Sequence, residues 1–397
     1  MARNAPVRSR PSNREMAVSA SCYLDYNAGA PLRPGVAAAM AAALADCGNP
    51  SSVHAAGRRA RGRIEAARHA VALLAGADPS GLVFTSGGTE ANALALTGSG
   101  RERVLVSAVE HASVRDAVPT AEIIPVDGDG VVDLAGLERL LAADSRPALV
   151  SVMLANNETG VVQPVAALAE LAHRAGALVH CDAAQAAGRL NVSMSQIHVD
   201  FLTLSAHKLG GPAGIGAVAL ADPDFPLAPM LLGGGQERRR RAGTENLAGI
   251  VGFGIAAIAA RDDVERGDII LEMGDLRDRL EAAALARVSG AVVVGRGAAR
   301  LANTSCLALP GVAAQVQVMA LDLEGVMVSA GAACSSGKVA ESAVLAAMGL
   351  APEIAGSAVR VSLGWASRWA DAERFLAAWA GLAARKGFDV VPAAVAA

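Results

Sequence analysis

The sequence predicts an α/β fold, with a mostly parallel central sheet covered by helices on both faces and a smaller α+β region after it. Between about residues 60 and 260, short apolar runs alternate with segments of helical periodicity. Strands separated by helices form parallel βαβ units. From residue 263 the pattern changes to a long charged helix and then to short strands and helices. With 397 residues, the chain is long enough to bury a large core and to form more than one domain.

The individual elements follow from their periodicity in chain order. Residues 58–76 have helical spacing and close on a glycine, and residues 82–86 predict a strand that leads into a helix at 91–98. The apolar run 247–260 predicts a buried helix that is too short to span a bilayer. Further strands are predicted at 103–108, 122–126, 148–155, 177–183, 200–206 and 215–221, and further helices at 165–176 and 274–288.

The same pattern predicts the domain organisation. A large domain over 35–262 carries the ligand site, and a small domain combines 21–34 with 263–387. Residues 1–20 are predicted to be a disordered extension, and residues 388–397 a flexible tail.

Composition excludes several classes of function. A net charge of −3 and an aromatic content of 3% give no attraction to nucleic acid or to an anionic membrane. The first 15 residues hold four arginines but no apolar core, which argues against a secretory signal. A disordered extension is expected, with a start codon placed upstream of Met16 or an organelle transit segment as the alternatives. Five cysteines without a C-x-x-C pair indicate a reducing, cytoplasmic compartment, with no disulfide framework and no metal site.

One of only three lysines, Lys208, stands where a catalytic amine is expected. It follows the strand predicted at 200–206 and precedes the glycine-rich turn LGGPAGIGA. Ligands bind at the carboxyl ends of parallel strands, and a lysine amine, unlike a guanidinium, can form a Schiff base with a carbonyl. Lys208 is therefore a candidate anchor for an aldehyde cofactor. The alternative is a surface lysine that ends a strand.

Polar residues also follow the neighbouring strands. Gly88 and Thr89 open a helix, where free amide groups favour a phosphate; an ordinary strand-to-helix turn is the alternative. His111 could stack on a flat ring or transfer protons, or be a loop histidine. Asn157 could orient a cofactor oxygen or a substrate carboxylate, or belong to a turn.

Asp182 ends an apolar strand, where a buried carboxylate needs a partner. A protonated pyridine nitrogen is such a partner, because the carboxylate keeps it cationic and able to accept electrons. Gln185 follows in the same turn. Ser205 and His207 flank Lys208, where they could bind a phosphate.

Two segments outside this sheet carry further candidates. The segment GGGQERRRRAGTEN (233–246) holds four successive arginines and Thr244, which favour phosphate or carboxylate binding, with a subunit interface as one place for it. A solvated charge run and a nucleic-acid patch are the alternatives. In VSAGAACSSGKVAES (328–342), the thiol of Cys334 stands among small residues and is a candidate nucleophile; the alternative is a buried, inert cysteine.

Together, a Schiff-base lysine, a pyridinium carboxylate, a phosphate turn and a ring-stacking histidine specify pyridoxal phosphate. The segments FTSGGTEAN, NNETGVVQP, HCDAAQAAG, SAHKLGGPAGIGA and GGGQERRRRAGTEN resemble the cysteine desulfurases of the class V aminotransferase group. LDYNAGAPLRP and VRVSLG are similar to the same family, so the resemblance covers about residues 22–385. The loop around Cys334 resembles the branch that feeds iron–sulfur cluster assembly.

The resemblance implies a fold type I, pyridoxal-phosphate-dependent transferase that converts L-cysteine to L-alanine. Lys208 would hold the cofactor as a Schiff base, Asp182 its pyridinium and Gln185 its ring hydroxyl. His111 would stack on the ring and help to move protons. Cys334, as thiolate, would attack the substrate sulfur and take it as a persulfide.

The resemblance also implies the remaining contacts and partners. Asn157 and Arg360 would hold the substrate carboxylate, and Asn157 also contacts the cofactor. The implied partners are L-cysteine, a second subunit and a sulfur acceptor or iron–sulfur scaffold protein. The phosphate would be bound by Gly88, Thr89, Ser205, His207 and, from the partner subunit of a homodimer, Thr244.

Three positions depart from the family pattern. Ala213 stands where a lysine is common, Trp365 stands where a second arginine is frequent, and the end of the chain, KGFDVVPAAVAA, lacks a longer polar tail. The alternative functions are a selenocysteine lyase or an aminotransferase on the same fold, and a catalytically idle assembly partner. Cys334 favours the desulfurase, and Lys208 with the full cofactor set argues against an idle protein.

Overall fold

The computed structural model describes residues 22–331 and 342–392. The predicted extension at 1–20, Cys334 and the last part of the predicted tail lie outside the described residues. Within them, the strands are β1 Cys22–Tyr23, β2 Leu82–Thr85, β3 Arg103–Ser107, β4 Glu122–Ile124, β5 Ala148–Ser151, β6 Leu178–Asp182, β7 Phe201–Ser205, β8 Gly216–Leu220, β9 Val292–Val293, β10 Thr304–Ala308, β11 Val326–Met327, β12 Ser329–Ala330 and β13 Ala358–Ser362. The helices are α1 Val36–Ala45, α2 Ala55–Ala75, α3 Gly88–Gly98, α4 Ala112–Arg115, α5 Leu134–Ala143, α6 Val165–Arg174, α7 Met194–Ile197, α8 Leu247–Arg266, α9 Asp268–Arg287, α10 Ala314–Leu323, α11 Ala343–Ala347, α12 Pro352–Ala355 and α13 Trp369–Arg385.

The central sheet has seven strands in the order β2-β8-β7-β6-β5-β3-β4. Only β8 runs against its neighbours, and the other pairs are parallel. Strands β2, β3, β5, β7 and β8 are buried along their whole length, as expected of a sheet with both faces covered. The seven strands predicted from the sequence form this sheet, and the predicted α/β class is confirmed.

Four helices of the large region differ from their predicted bounds. Helix α3 begins three residues before its predicted start, and α6 ends two residues before its predicted end. Helix α2 begins three residues before the predicted start, because the His54 ring accepts a hydrogen bond from the Gly57 amide and caps the helix. It ends at Ala75, one residue before its predicted end, and the glycine that follows, Gly76, caps it in a left-handed conformation with φ 58°. Helix α8 continues past the apolar run to Arg266, and Ile258 on it is 50% exposed, so the prediction of a buried helix holds for only part of its surface.

The C-terminal region is built on an antiparallel sheet in the order β12-β13-β10-β9. The predicted charged helix at 274–288 is α9, which starts six residues earlier. Strand β1 pairs with β11, and Cys22 and Leu24 share one hydrophobic core with Phe375 and Trp379. This packing agrees with grouping 21–34 with the C-terminal residues, while the domain bounds themselves stay a prediction.

The parallel strands bring four loops together at one edge. Strands β3, β5, β6 and β7 end there, and the residues that follow them include His111, Asn157, Gln185 and Lys208. Over the described ranges, no helix is both long and apolar enough to cross a membrane.

Candidate active site

A pocket of about 390 Å³ lies at the carboxyl ends of the central strands. The structure brings ten of the twelve predicted site residues together there. Of the other two, Thr244 is exposed and does not line the pocket of its own chain, and Cys334 lies outside the described residues. The ten are Gly88, Thr89, His111, Asn157, Asp182, Gln185, Ser205, His207, Lys208 and Arg360.

One end of the pocket has the features of an anion site. Gly88 is the first residue of α3, so amide groups of the first turn lack partners within the helix. A Cβ at Gly88 would lie only 3.4 Å from Ser205 Cβ, and glycine therefore lets the helix begin close to β7. The Ser205 hydroxyl lies 3.0 Å from Nδ1 of His207. Burial and the charge of Lys208 lower the pKa of His207 to about 4, so this ring is neutral at pH 7.

Two of the four successive arginines bind groups of their own chain. Arg241 donates to Glu90 Oε1 over 2.9 Å, and Glu90 accepts the Ser86 amide over 2.7 Å, so this ion pair holds the turn before α3. Arg240 donates to the carbonyls of Pro223 and Phe225. Only the exposed pair at 238–239 remains for the external anion that the sequence predicts for this run.

Asp182 ends β6 and is buried in the pocket wall. Its Oδ2 accepts a hydrogen bond from Asn92 Nδ2 over 2.8 Å, and its Oδ1 accepts the Ala184 amide over 2.9 Å. These two donors fix the direction of the carboxylate. Cys181, the preceding residue, lies in the hydrophobic core, as strand alternation predicts.

His111 caps the short helix α4, and its hydrogen bonds define its protonation. Nδ1 accepts the Ser113 amide over 3.1 Å and lies 2.8 Å from the Ser113 hydroxyl. Since a backbone amide can only donate, Nδ1 carries no proton and the neutral ring has its hydrogen on Nε2. Burial, reinforced by the charge of Lys208, lowers the pKa of His111 and favours this neutral form.

Lys208 is the last residue of a short 3₁₀ turn, 206–208, that follows β7. The turn requires a glycine at Gly210, where φ is 82° and a Cβ would lie 2.5 Å from the Trp365 ring. The Arg33 guanidinium lies 4.2 Å from the centre of the same ring and pairs with Asp263 over 2.6 Å. Trp365, which departs from the family pattern, thus packs against the turn that carries the lysine.

The opposite side of the pocket comes from the C-terminal region. Arg360, on β13, donates from Nη2 to Asp25 Oδ1 over 2.6 Å and from Nη1 to the Asn157 carbonyl over 3.1 Å. Its Nε and the side-chain oxygen Oδ1 of Asn157 are buried and have no hydrogen-bond partner among the described residues. Because unsatisfied buried polar atoms are unfavourable, these two mark a place for a polar ligand.

Sequence reasoning missed three polar residues of the pocket: Asn27, Asn92 and Ser113. Asn92 carried a signal, since it lies one helical turn after Thr89 and so shares its helix face. Ser113 stands two residues after His111, at the distance of a local side-chain contact. Asn27 lies in LDYNAGAPLRP, so its signal was the family resemblance of that segment and not a local pattern, because the sequence does not show that residues before α1 fold over the sheet edge.

Comparisons with known proteins agree on one family. The family described as Aminotransferase class-V matches residues 22–375. A cysteine desulfurase of Cereibacter sphaeroides is 45% identical over 369 residues, which are 89% of this chain and 93% of that protein. One of Sinorhizobium fredii is 41% identical over 89% of this chain and 94% of that protein. Among solved structures, a NifS-like protein from Rickettsia africae has a TM-score of 0.84 and 33% identity, covering 91% of this chain and 99% of that one.

Proposed function

The chain belongs to the class-V aminotransferase family, and from this premise we propose that it is a cysteine desulfurase that converts L-cysteine to L-alanine and keeps the sulfur as an enzyme persulfide. It is a pyridoxal-phosphate-dependent enzyme, as members of this family are. One observation carries the proposal: Lys208, Asp182, His111 and the N-terminus of α3 face a single pocket at the carboxyl edge of the sheet.

The residues of the pocket fit pyridoxal phosphate. An anionic phosphate requires several donors, and Thr89, in the first turn of α3, lines the pocket together with Ser205 and His207. A pyridinium nitrogen requires a fixed carboxylate, and Asp182 is held by two donors. The amine of Lys208 lines the same pocket. The site thus offers a partner for each polar part of the cofactor.

The side chains of the pocket have different roles toward the cofactor and the substrate. When bound, pyridoxal phosphate supplies an aldehyde that condenses with amines and a ring that accepts electrons from the substrate. Lys208 would anchor the cofactor through its aldehyde until the amine of L-cysteine replaces it. Asp182 would keep a proton on the ring nitrogen, and Gln185 would donate to the ring oxygen. His111, neutral with its hydrogen on Nε2, moves protons at the substrate.

The substrate is held from the C-terminal side. Arg360 has a buried Nε without a partner, and a guanidinium can bind a carboxylate through two adjacent N–H groups. Asn157 lies against it, since Arg360 already donates to its carbonyl. We assign the carboxylate of L-cysteine to this pair.

We assign the sulfur-accepting thiolate to Cys334. Burial raises the pKa of Cys22 and Cys306 to about 12 and that of Cys181 well above its usual value, so these three are inert thiols. Cys47 is exposed but does not line the pocket. Cys334, outside the described residues, is the remaining cysteine.

The transfer balances without a further reactant. The Cys334 thiolate attacks the sulfur of the bound L-cysteine, and a sulfur–sulfur bond forms as the carbon–sulfur bond breaks. The electron pair of the broken bond goes to the carbon skeleton, which takes up a proton and leaves as L-alanine. The enzyme keeps the persulfide, which a thiolate of an acceptor can then attack.

We propose a homodimer in which Thr244 reaches the phosphate of the neighbouring subunit. Two features support it: Thr244 is exposed outside the pocket of its own chain, and several large apolar side chains are exposed. The exposed apolar side chains include Leu32, Leu44, Val53, Met230, Leu231 and Leu232. Light scattering of the purified protein tests the dimer.

We further propose a cytoplasmic enzyme that passes its sulfur to an acceptor or iron–sulfur scaffold protein. The support is chemical, because a persulfide is reactive and must be transferred to another thiol to be useful. The absence of C-x-x-C pairs agrees with a reducing compartment.

Purified protein with L-cysteine tests the function. Wild type should bind pyridoxal phosphate with a visible absorbance band and release alanine and, with a thiol reductant, sulfide in equal amounts. Lys208→Ala should lose the band and both products, whereas Cys334→Ser should keep the band and lose sulfur release. Full sulfur release by Cys334→Ser would contradict the persulfide step and favour a selenocysteine lyase type of reaction. Amino-group transfer to a keto acid would favour an aminotransferase.

A further inference from the structure

Arg189 is a buried arginine whose partners are neutral oxygens. Nη1 donates to the main-chain carbonyl of Gln185 over 3.0 Å and also to its side-chain oxygen Oε1, and Nη2 donates to the Tyr26 carbonyl over 3.3 Å. Over the described ranges, no carboxylate lies within ion-pair distance of Arg189, whereas the buried Arg33 and Arg360 each have one. A buried cation without a counter-charge is costly, so its position requires an explanation.

The hydrogen bonds of Arg189 determine how Gln185 is oriented. A guanidinium can only donate, so the acceptor oxygen of the Gln185 amide faces Arg189 and the nitrogen faces the other way. This nitrogen donates one hydrogen to the Asn27 carbonyl over 3.0 Å. Its second hydrogen is the one that the pocket can use, because Gln185 lines it.

We propose that Arg189 is a positioning residue that acts through Gln185: it fixes the amide so that an N–H faces the ring oxygen of bound pyridoxal phosphate, and its positive charge favours the anionic form of that oxygen. The proposal rests on the proposed function, since it requires this cofactor. A cation near a titrating group favours loss of a proton. With Arg189 in place, the linkage of Lys208 to the cofactor therefore loses its proton at a lower pH than it would otherwise.

The variants that test this proposal leave the other charged groups around the pocket unchanged. Burial, together with Arg360 and Arg33, lowers the pKa of Arg189 itself to about 9, so it is still cationic at pH 7. The charged and titratable groups that line the pocket or the cleft beside Arg189 are Tyr26, His111, Asp182, His207, Lys208, Arg360, Arg33 and Asp263.

A pH titration of the visible absorbance band, without substrate, tests the proposal. The midpoint should rise in Arg189→Met by about one pH unit, a tenfold change in proton affinity. Arg189→Lys retains the charge and should stay closer to wild type than Arg189→Met. Gln185→Leu should shift the midpoint in the same direction, and Arg189→Met should shift it less in the Gln185→Leu background than in wild type.

Three results separate the possibilities. An Arg189→Met protein that binds the cofactor with the wild-type midpoint overturns the proposal. If that variant does not fold, an unchanged midpoint in Gln185→Leu overturns it. A wild-type protein that binds no pyridoxal phosphate and has no visible band refutes the proposed function instead, so the two failures are distinguishable.

Discussion

Glu237→Gln tests how the chain holds the segment that carries Thr244. The buried Glu237 carboxylate accepts two hydrogen bonds of 2.8 Å from the two terminal nitrogens of Arg68 and a third of 2.9 Å from the Phe84 amide. Glu237, Arg238 and the next arginine are left-handed, with φ of 44°, 55° and 68°. Non-glycine residues adopt this conformation at a cost of about 1–2 kcal/mol each. Glu237 therefore anchors a strained turn to α2 through the ion pair with Arg68 and, through the Phe84 amide, to β2, the strand that leads to the proposed phosphate site.

The expected loss follows from the burial of the pair. Removing one partner of a buried ion pair costs about 3–5 kcal/mol, because the other charge loses its compensation. Arg68 keeps a longer ion pair of 3.3 Å with the half-exposed Glu65, which places the loss at the low end of that range. Glutamine preserves the shape and part of the hydrogen bonding. We therefore expect Glu237→Gln to lower the free energy of unfolding by about 3 kcal/mol. The affinity for pyridoxal phosphate should also fall, since the segment that carries Thr244 loses its anchor.

The assay is urea unfolding of the cofactor-free protein, followed by circular dichroism, for a double-mutant cycle. The cycle compares wild type with the single variants Glu237→Met and Arg68→Met and with the variant that carries both substitutions. Replacing both partners by apolar groups leaves no unpaired charge, so the double variant should be more stable than the sum of the two single losses predicts. If the free energy of unfolding of Glu237→Gln lies within about 1 kcal/mol of the wild-type value, as is found for exposed ion pairs, Glu237 does not anchor the turn as described.

Three further predictions concern other parts of the molecule. Arg239→Gly should raise the free energy of unfolding by about 1 kcal/mol, because glycine adopts φ 68° without steric cost; a lower melting temperature by calorimetry would contradict this. Asp25→Asn should raise KM for L-cysteine about tenfold, or ~1.4 kcal/mol, with a smaller effect on kcat, because Arg360 loses its charged partner. Steady-state kinetics with Ser329→Ala as the control decide it, since Ser329 donates to the other oxygen of Asp25. Burial lowers the pKa of His180 to about 4, below its value of ~6.5 in an unfolded chain. The folded protein therefore binds fewer protons, and the contribution of His180 is present above pH ~6.5 and is lost as pH falls toward 4, about 2 kcal/mol by pH 5. Urea midpoints at pH 7 and 5 should differ less in His180→Gln than in wild type, and an equal difference would argue against it.

The sheet and the polar edge of the site could be predicted because they follow from local patterns. Each strand of the central sheet is an apolar run between helical segments, and parallel strands must end at a common edge, which is why Asp182 and Lys208 were expected to lie together. The start of α2 was missed because its cap is a histidine, His54, which is not a usual capping residue.

What could not be predicted depends on long-range packing. The ion pair between Asp25 and Arg360 joins residues 335 positions apart. The sequence does not show that the buried guanidinium of Arg189 lacks a carboxylate partner, because this depends on the residues packed around it. The sequence GGGQERRRRAGTEN predicts anion binding. Arg241 instead forms an ion pair with Glu90, because the loop folds back on the helix that begins at Gly88.

Mass spectrometry of the protein after a single exposure to L-cysteine tests the persulfide step directly. In the wild-type protein, which has both Lys208 and Cys334, the peptide that contains Cys334 should gain one sulfur atom for each L-alanine released. Lys208→Ala should produce neither. Alanine and sulfur released by a Cys334→Ser protein at the wild-type rate, or the sulfur found on another cysteine, would contradict the central claim.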